Sequence, residues 1–143
     1  MRRLVVDASV AIKWLVDEPG TDDALFLRRH RLSAPDLLTI ECANILWKKC
    51  RRNELTSDEA TLAARLLERA GIELAPMRRL LESTVRLAIA LDHPAYDCAY
   101  LALAETMRCA MVTADESLCR KLKGSTALSI ELVALADAPS TIA

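Results

Sequence analysis

The stretch Leu4-Val5-Val6-Asp7 is a short apolar run, rich in branched side chains, that ends on an acid. Such a run is typical of a buried β-strand. A second stretch, Cys109-Ala110-Met111-Val112-Thr113, has the same character, and Asp115 follows it two residues later. In open parallel sheets, ligands bind in the crevice at the carboxyl ends of the strands. We therefore expect Asp7 and Asp115 to lie near one crevice.

Outward from these two strands, short apolar runs alternate with helical patterns. Further strands are predicted at residues 32–34, 72–75 and 129–135. Helices are predicted at residues 9–16, 21–29, 36–52, 56–70, 79–91, 92–107 and 115–123, from apolar spacing and from start and stop signals. This alternation predicts βαβ units, hence an α/β protein with a short parallel sheet flanked by helices.

Length and composition indicate one compact domain. The chain has 143 residues, of which 52% are hydrophobic and 27% charged, so it is not a disordered chain. We expect a single domain over residues 1–138 and a loose tail over residues 139–143, which carry Pro, Ser and Thr. No apolar run is long enough for a membrane-spanning helix or a signal peptide. The five cysteines are scattered, with no Cys-x-x-Cys pair, which favours reduced thiols in a cytoplasmic protein.

Two further acids stand out because their neighbours are apolar. Glu41 is the only charged residue between Leu37 and Trp47, and Asp97 is the only one between Pro94 and Ala104. An ionised carboxylate on the apolar side of a helix costs several kcal/mol unless it is paired, hydrogen-bonded or metal-bound. The simpler interpretation of each acid stays open. Asp7, Asp97 and Asp115 could each be a helix cap, and Glu41 could face water.

If the four acids meet, their mutual repulsion predicts a divalent cation. Oxygen ligands without Cys or His select Mg²⁺ or Mn²⁺ rather than zinc. Such an ion can activate water and neutralise charge on a phosphate. The three glycines, Gly20, Gly71 and Gly124, form no phosphate-binding loop, and no Ser-His-Asp or Cys-His arrangement competes.

Four motifs in this order resemble those of PIN-domain nucleases, most closely the VapC toxins of toxin–antitoxin pairs. They are Val5-Val6-Asp7-Ala8-Ser9, Glu41-Cys42-Ala43-Asn44-Ile45-Leu46, the run from Ala95 to Ala104 and Val112-Thr113-Ala114-Asp115. The resemblance covers roughly Leu4 to Leu122. It implies a PIN-like three-layer fold and a Mg²⁺- or Mn²⁺-dependent endoribonuclease that leaves a 5′-phosphate and a 3′-hydroxyl.

The resemblance also implies roles for individual residues. Asp7 and Asp97 would be the principal metal ligands, with Asp115 and Glu41 completing the set. Ser9 and Thr113 would be supporting hydroxyls. Asn44, one helical turn beyond Glu41, is predicted to orient that side chain. His30 and His93 are interpreted as surface residues.

The implied partners are an RNA substrate, a VapB-like antitoxin and a second copy of the chain, with no membrane. A formal charge of −1 does not indicate a protein that coats nucleic acid, although it does not exclude RNA as a substrate. Basic clusters at residues 28–31, 48–52, 78–79 and 120–123 are either phosphate contacts or helix C-terminal cations.

Two other functions compete with a toxin. One is a PIN-domain nuclease in RNA processing without a toxin role. The other is a non-catalytic Mg²⁺-binding scaffold, similar to a receiver domain. A receiver domain would need a paired acid after the first strand and a lysine after a late one, whereas Asp7 stands alone and Thr113-Ala114-Asp115 contains no lysine.

Overall fold

A five-stranded parallel sheet forms the centre of the molecule, in a computed structural model that describes residues 1–142. The strands are β1 (Arg3–Val6), β2 (Arg31–Pro35), β3 (Glu73–Ala75), β4 (Ala110–Thr113) and β5 (Leu132–Ala134). Their order is β3-β2-β1-β4-β5, and every neighbouring pair is parallel. The predicted α/β class with a short parallel sheet is therefore confirmed.

Helices cover both faces of this sheet. Within the described residues they are α1 (Ala8–Ala11), α2 (Thr21–Phe26), α3 (Leu37–Arg51), α4 (Ser57–Glu68), α5 (Leu81–Leu91), α6 (Ala95–Met107), α7 (Glu116–Leu122) and α8 (Ala138–Thr141). The expected helix at residues 9–16 is only one α-helical turn followed by a 3₁₀ turn at Ile12–Trp14. The capping box that begins α4 is present, with Thr56 and Glu59 each accepting from the other's backbone N–H.

The central strands show why both faces must be covered. Leu4, Val5 and Val6 are all fully buried, and successive side chains point to opposite faces of the sheet. Val5 packs in a cluster with residues of α3, α5 and α6, whereas Leu4 and Val6 pack with residues of α2, α8 and β5. The layers are therefore helix, sheet and helix, as the resemblance implied.

Helix α6 explains the long apolar run in the sequence. All seven residues from Cys98 to Ala104 are buried, and the helix contacts β1, β2 and β4. A carboxylate in its first turn, Asp97, is thereby placed beside the carboxyl end of β1 and close to Asp7.

The expectation of a loose tail is wrong for residues 139–142. Helix α8 spans Ala138–Thr141, and Ile142 is fully buried in the cluster that contains Leu4 and Val6. Pro139 lies in the first turn of α8, where its missing N–H costs nothing. Residue 143 lies outside the described residues.

No helix in residues 1–142 is both long and apolar enough to cross a bilayer.

Candidate active site

Four elements bring the four predicted acids to one groove. Asp7 directly follows β1 and Asp115 follows β4, and these strands pair in parallel with Val6 opposite Val112. Glu41 comes from α3 and Asp97 from α6. The groove encloses about 240 Å³ and is lined by Asp7, Ala8, Ser9, Glu41, Asn44, Ile45, Asp97, Tyr100 and Asp115. Asp7 and Asp115, which the strand pattern predicts near one crevice, therefore lie in the same groove, and Glu41 and Asp97 lie there with them.

Asp7 is the most enclosed of the four acids. It is 6% exposed, and its two carboxylate oxygens accept from different hydroxyls. Ser9 Oγ donates to Oδ1 and Thr113 Oγ1 donates to Oδ2, both at 2.5 Å. The backbone N–H of Val10 also donates to Oδ1 at 3.3 Å, so Asp7 caps α1 as well.

Burial dominates the electrostatics of Asp7. It raises the pKa of the carboxyl from 3.8 to about 6, against the lowering effect of the hydrogen bonds from Ser9 and Thr113. The neighbouring charge of Asp97 raises this pKa further. A carboxylate in this position is partly protonated near pH 6 unless a cation compensates for its charge.

The two hydroxyls also join the ends of β1 and β4. Ser9 Oγ accepts from the backbone N–H of Ala114 at 2.9 Å, and Thr113 Oγ1 accepts from that of Asp115 at 3.1 Å. The positions predicted as supporting hydroxyls therefore hold Asp7 and, through the backbone, the turn that carries Asp115. Their part in any reaction stays a prediction.

Glu41 is held by a residue that the sequence analysis did not single out. Tyr100 Oη donates to Glu41 Oε1 at 2.5 Å, and Tyr100 is 1% exposed. Partial burial raises the pKa of Glu41, the bond from Tyr100 opposes this, and the charge of Asp97 raises it again. Burial and the adjacent carboxylate both raise the pKa of Tyr100, so the phenol stays a donor. Its signal in the sequence is its place one turn after Asp97 on α6.

Asn44 lines the same groove and is exposed. Among the described residues, the side-chain hydrogen bond that Glu41 receives comes from Tyr100 and not from Asn44. The orienting role of Asn44 therefore stays a prediction, and Tyr100 is the residue that positions Glu41.

His93 contacts Asp97, and its interpretation as a surface residue is wrong. The imidazole side chain is 12% exposed, and Nε2 lies 2.7 Å from Asp97 Oδ2. The feature of the sequence that could have predicted this contact is the four-residue spacing between His93 and Asp97. The interpretation of His30 as a surface residue is wrong too, because His30 is buried, at 8% exposure, and its Nδ1 accepts from the backbone N–H of Arg2.

Asp115 is the exposed member of the set and also a helix cap. Its Oδ1 accepts from Ser117 Oγ at 2.6 Å and from the backbone N–H of Leu118 at 3.1 Å. The bond from Ser117 is the main reason that the pKa of Asp115 is lowered, although partial burial opposes it. The capping and the groove-lining interpretations of Asp115 are therefore compatible.

The four carboxylates are the type of ligand that a hard divalent cation prefers, but they do not surround a common point. Four carboxylates line one groove, and the charge of Asp97 raises the pKa of both Asp7 and Glu41, a repulsion that a cation would relieve. Within residues 1–142, however, no three His, Cys, Asp or Glu side chains converge closely enough to enclose an ion. Each carboxylate instead rests on its own hydrogen-bond donor.

Comparisons with known proteins agree with this geometry. The family model for the PIN domain matches residues 4–123. The VapC ribonuclease Mb0985 of Mycobacterium bovis is 32% identical over 112 residues, which are 78% of this chain and 85% of that protein. Ribonuclease VapC3 of Pyrobaculum aerophilum is 32% identical over 126 residues, which are 83% of this chain and 94% of that protein.

Two solved structures share the fold. The crystal structure of PAE2754 from Pyrobaculum aerophilum superposes with a TM-score of 0.66 at 24% identity, covering 95% of this chain and 93% of that one. VapBC2 from Rickettsia felis, bound to a DNA fragment from its promoter, gives a TM-score of 0.61 at 10% identity, covering 91% of this chain and 98% of the matched one. With the family match and the two VapC relatives, the conclusion is that this chain belongs to the PIN-domain family and, within it, to the VapC ribonucleases.

Proposed function

We propose that this chain is a Mg²⁺- or Mn²⁺-dependent endoribonuclease and the toxin of a VapBC-type toxin–antitoxin pair. The observation that carries the proposal is the groove in which acids from β1, α3, α6 and the end of β4 meet. Its support from relatives is the 32% identity to VapC ribonucleases over most of the chain.

The groove residues are proposed to have two kinds of role, binding the cation and positioning its carboxylate ligands. Asp7 and Asp97 would hold the cation, with Asp115 and Glu41 completing the set of oxygen ligands. When bound, Mg²⁺ or Mn²⁺ supplies an activated water and neutralises charge on the phosphate. Ser9 and Thr113 fix both oxygens of Asp7, and Tyr100 fixes one oxygen of Glu41, so these carboxylates need little reorganisation. Water adds to phosphorus and the 3′-oxygen leaves, which gives a 5′-phosphate and a 3′-hydroxyl.

Besides completing the ligand set, Glu41 is proposed to accept the water proton. Its second oxygen, Oε2, is free of the Tyr100 bond, and the raised pKa of the carboxyl brings it nearer to the operating pH of a general base.

The test is cleavage of a panel of tRNA, rRNA and mRNA by purified protein with and without Mg²⁺ or Mn²⁺. We expect metal-dependent products that carry 5′-phosphates, and their loss in Asp97→Asn. Asp17→Asn is a matched control, since Asp17 is exposed and outside the groove. Full cleavage in the presence of EDTA, or by Asp97→Asn, would contradict the proposal.

The basic residues differ in their availability to RNA. Arg28, Arg29 and Arg51 lie over the rings of Trp14, Phe26 and Trp47 at 4.9, 4.3 and 5.1 Å respectively. Arg120 is exposed in the last turn of α7, the helix that Asp115 caps. We therefore expect Arg120→Ala to reduce the salt dependence of RNA affinity by about one unit of log–log slope, and Arg51→Ala to reduce it less.

Two apolar surfaces suit the proposed protein partners. A groove of about 350 Å³ between α3, α4 and the edge strand β3 is lined mainly by apolar residues, including Leu38, Leu46, Leu67 and Leu74. It would take the apolar face of an antitoxin helix. Leu81, Val85 and Ile89 form an exposed stripe along α5, which would pack against a second copy of the chain.

Two measurements separate these partners. Co-expression with the candidate antitoxin should suppress growth arrest, and Leu74→Asp, at an exposed residue of this groove, should restore it. Val85→Glu should convert a dimer to a monomer in sedimentation without loss of antitoxin binding. The proposed location is the cytoplasm, which is consistent with five free cysteines.

A further inference from the structure

A chain of hydrogen bonds runs from α7 to the carboxylate of Asp97. Lys121 Nζ lies 2.8 Å from His93 Nδ1, and His93 Nε2 lies 2.7 Å from Asp97 Oδ2. Lys121 Nζ also donates to the backbone carbonyl of Asp92 at 2.9 Å. These contacts join three elements, because Asp92 ends α5, Asp97 lies in the first turn of α6, and Lys121 lies on α7.

The direction of each bond follows from the donors available. A lysine ammonium has only donors, so His93 Nδ1 must be the acceptor in its contact with Lys121. The ring proton then resides on Nε2, which donates to Asp97 Oδ2, an oxygen that can only accept when ionised. Lys121 and Asp97 therefore both require the tautomer of His93 that carries its proton on Nε2.

These contacts restrict the orientation of the Asp97 side chain but leave one of its oxygens free to bind a ligand. The Asp97 side chain is 35% exposed, whereas that of His93 is 12% exposed. One oxygen of Asp97 is held by His93, and Oδ1 receives no side-chain hydrogen bond from the described residues. Without the imidazole, a partly exposed carboxylate would sample several rotamers, and ordering it would cost free energy at the moment of cation binding.

We propose that His93 and Lys121 are positioning residues that hold Asp97 in its metal-binding orientation, with Lys121 acting through its contact with His93 Nδ1. This inference rests on the proposed function, in which Asp97 binds Mg²⁺ or Mn²⁺. Groups that orient metal ligands typically account for 10–100-fold in metal affinity or activity.

The test measures Mn²⁺ affinity by electron paramagnetic resonance in RNA-free protein, so that it does not depend on turnover. We expect His93→Ala to bind Mn²⁺ about 10–100-fold more weakly than the parent. His93→Gln, whose side-chain amide can replace Nε2–H, should recover most of the affinity. His93→Asn is the matched variant, because its shorter amide can contact Lys121 but cannot reach Asp97, and it should behave as His93→Ala does.

Lys121→Met tests the second step. It should weaken Mn²⁺ binding less than His93→Ala, and Lys123→Met, which removes an exposed lysine from the end of the same helix, should leave it unchanged. Nitrogen-15 NMR of the metal-free parent should show His93 in the Nε2–H tautomer, and Lys121→Met should contain a larger fraction of the Nδ1–H tautomer. The His93 resonance is assigned by its absence from His93→Gln.

Several outcomes would overturn the inference. Parent-like Mn²⁺ affinity in His93→Ala, combined with lost affinity in Asp97→Asn, would reject it and leave the proposed function standing. An Nδ1–H tautomer, or equal affinities for His93→Gln and His93→Asn, would also reject it. Parent-like affinity in Asp97→Asn would reject the proposed metal site itself. If His93→Ala does not fold, the Gln and Asn pair and the NMR measurement still decide.

Discussion

The groove has an inner half at Asp7 and an outer half at Asp115, and the two halves shift the pKa of a carboxyl group in opposite directions. In the inner half, Asp7 is 6% exposed, and burial raises the pKa of its carboxyl to about 6. In the outer half, Asp115 is exposed, and hydrogen bonds from Ser117 and Leu118 lower its pKa. Both acids follow adjacent parallel strands and both cap a helix, so position in the fold does not explain the difference. The two acids differ in solvent access, and this difference explains the opposite pKa shifts.

The difference indicates what each half contributes. The charge of Asp7 is costly in the metal-free fold, because water has been removed from it and Asp97 lies nearby. The charge of Asp115 is stabilising, because it completes the N-terminus of α7. A cation would therefore offset the electrostatic cost of the ionised Asp7 carboxylate in the inner half. In the outer half it would bind the Asp115 carboxylate, which is already ionised.

The largest expected effect is on catalysis by the inner half. Asp7→Asn preserves the shape of the side chain but removes the charge that would bind the cation. We expect kcat/KM for RNA cleavage to fall by at least about 100-fold, since even groups that orient metal ligands cost 10–100-fold. Steady-state cleavage of one defined RNA measures it, with Asp17→Asn as the control. Activity within a few-fold of the parent would remove Asp7 from the metal site.

The same substitution should stabilise the protein. The pKa of Asp7 is 3.8 in an unfolded chain and about 6 when folded, so between these values the folded state binds more protons and stability falls as pH rises. Asp7 thereby costs up to about 3 kcal/mol at pH 7, at 1.36 kcal/mol per pH unit. We expect Asp7→Asn to raise the free energy of unfolding at pH 7, with the gain vanishing near pH 4.

Urea denaturation at pH 4, 5, 6 and 7 without divalent cations measures this gain. Asp115→Asn serves as the matched comparison from the outer half. A gain for Asp7→Asn that stays constant from pH 4 to 7 would show that ionisation of Asp7 is not its cause.

The sequence predicts the acids of this groove better than it predicts their partners. Asp7 and Asp115 follow apolar runs, and the rule for parallel sheets places them at one edge without any knowledge of packing. Glu41 and Asp97 stand out because charges are rare on apolar helix faces. In these cases a local pattern suffices.

The partners depend on how distant elements pack. Tyr100 lies 59 residues from Glu41 and Lys121 lies 28 residues from His93, and no periodicity relates them. Each contact joins residues of two different elements, so it depends on how those elements pack. The buried helix α8 escapes prediction for the same reason, since Ile142 alone in a polar tail does not indicate a core residue.

A smaller effect is expected for the residue that supports Glu41. Tyr100→Phe removes the donor to Oε1 while the ring continues to fill the core. The loss should cost about 1 kcal/mol of stability and raise the pKa of Glu41, because the bond from Tyr100 lowers it. If Glu41 acts as a base, the acid limb of the pH–activity profile should move to higher pH. An unchanged profile with reduced stability would limit Tyr100 to a structural role.

The smallest effect on stability is expected in the outer half. Asparagine caps helices about as well as aspartate, so Asp115→Asn should keep the bonds from Ser117 and Leu118 and change the free energy of unfolding by less than about 0.5 kcal/mol. Asp115→Ala should cost about 1 kcal/mol, because the cap itself is lost. If Asp115 also binds the cation, both variants should reduce Mn²⁺ affinity equally despite their different stabilities. Equal stability losses in the two variants would mean that Asp115 stabilises the fold through its charge and not through capping. The proposed contrast between the inner and outer halves would then be wrong for Asp115.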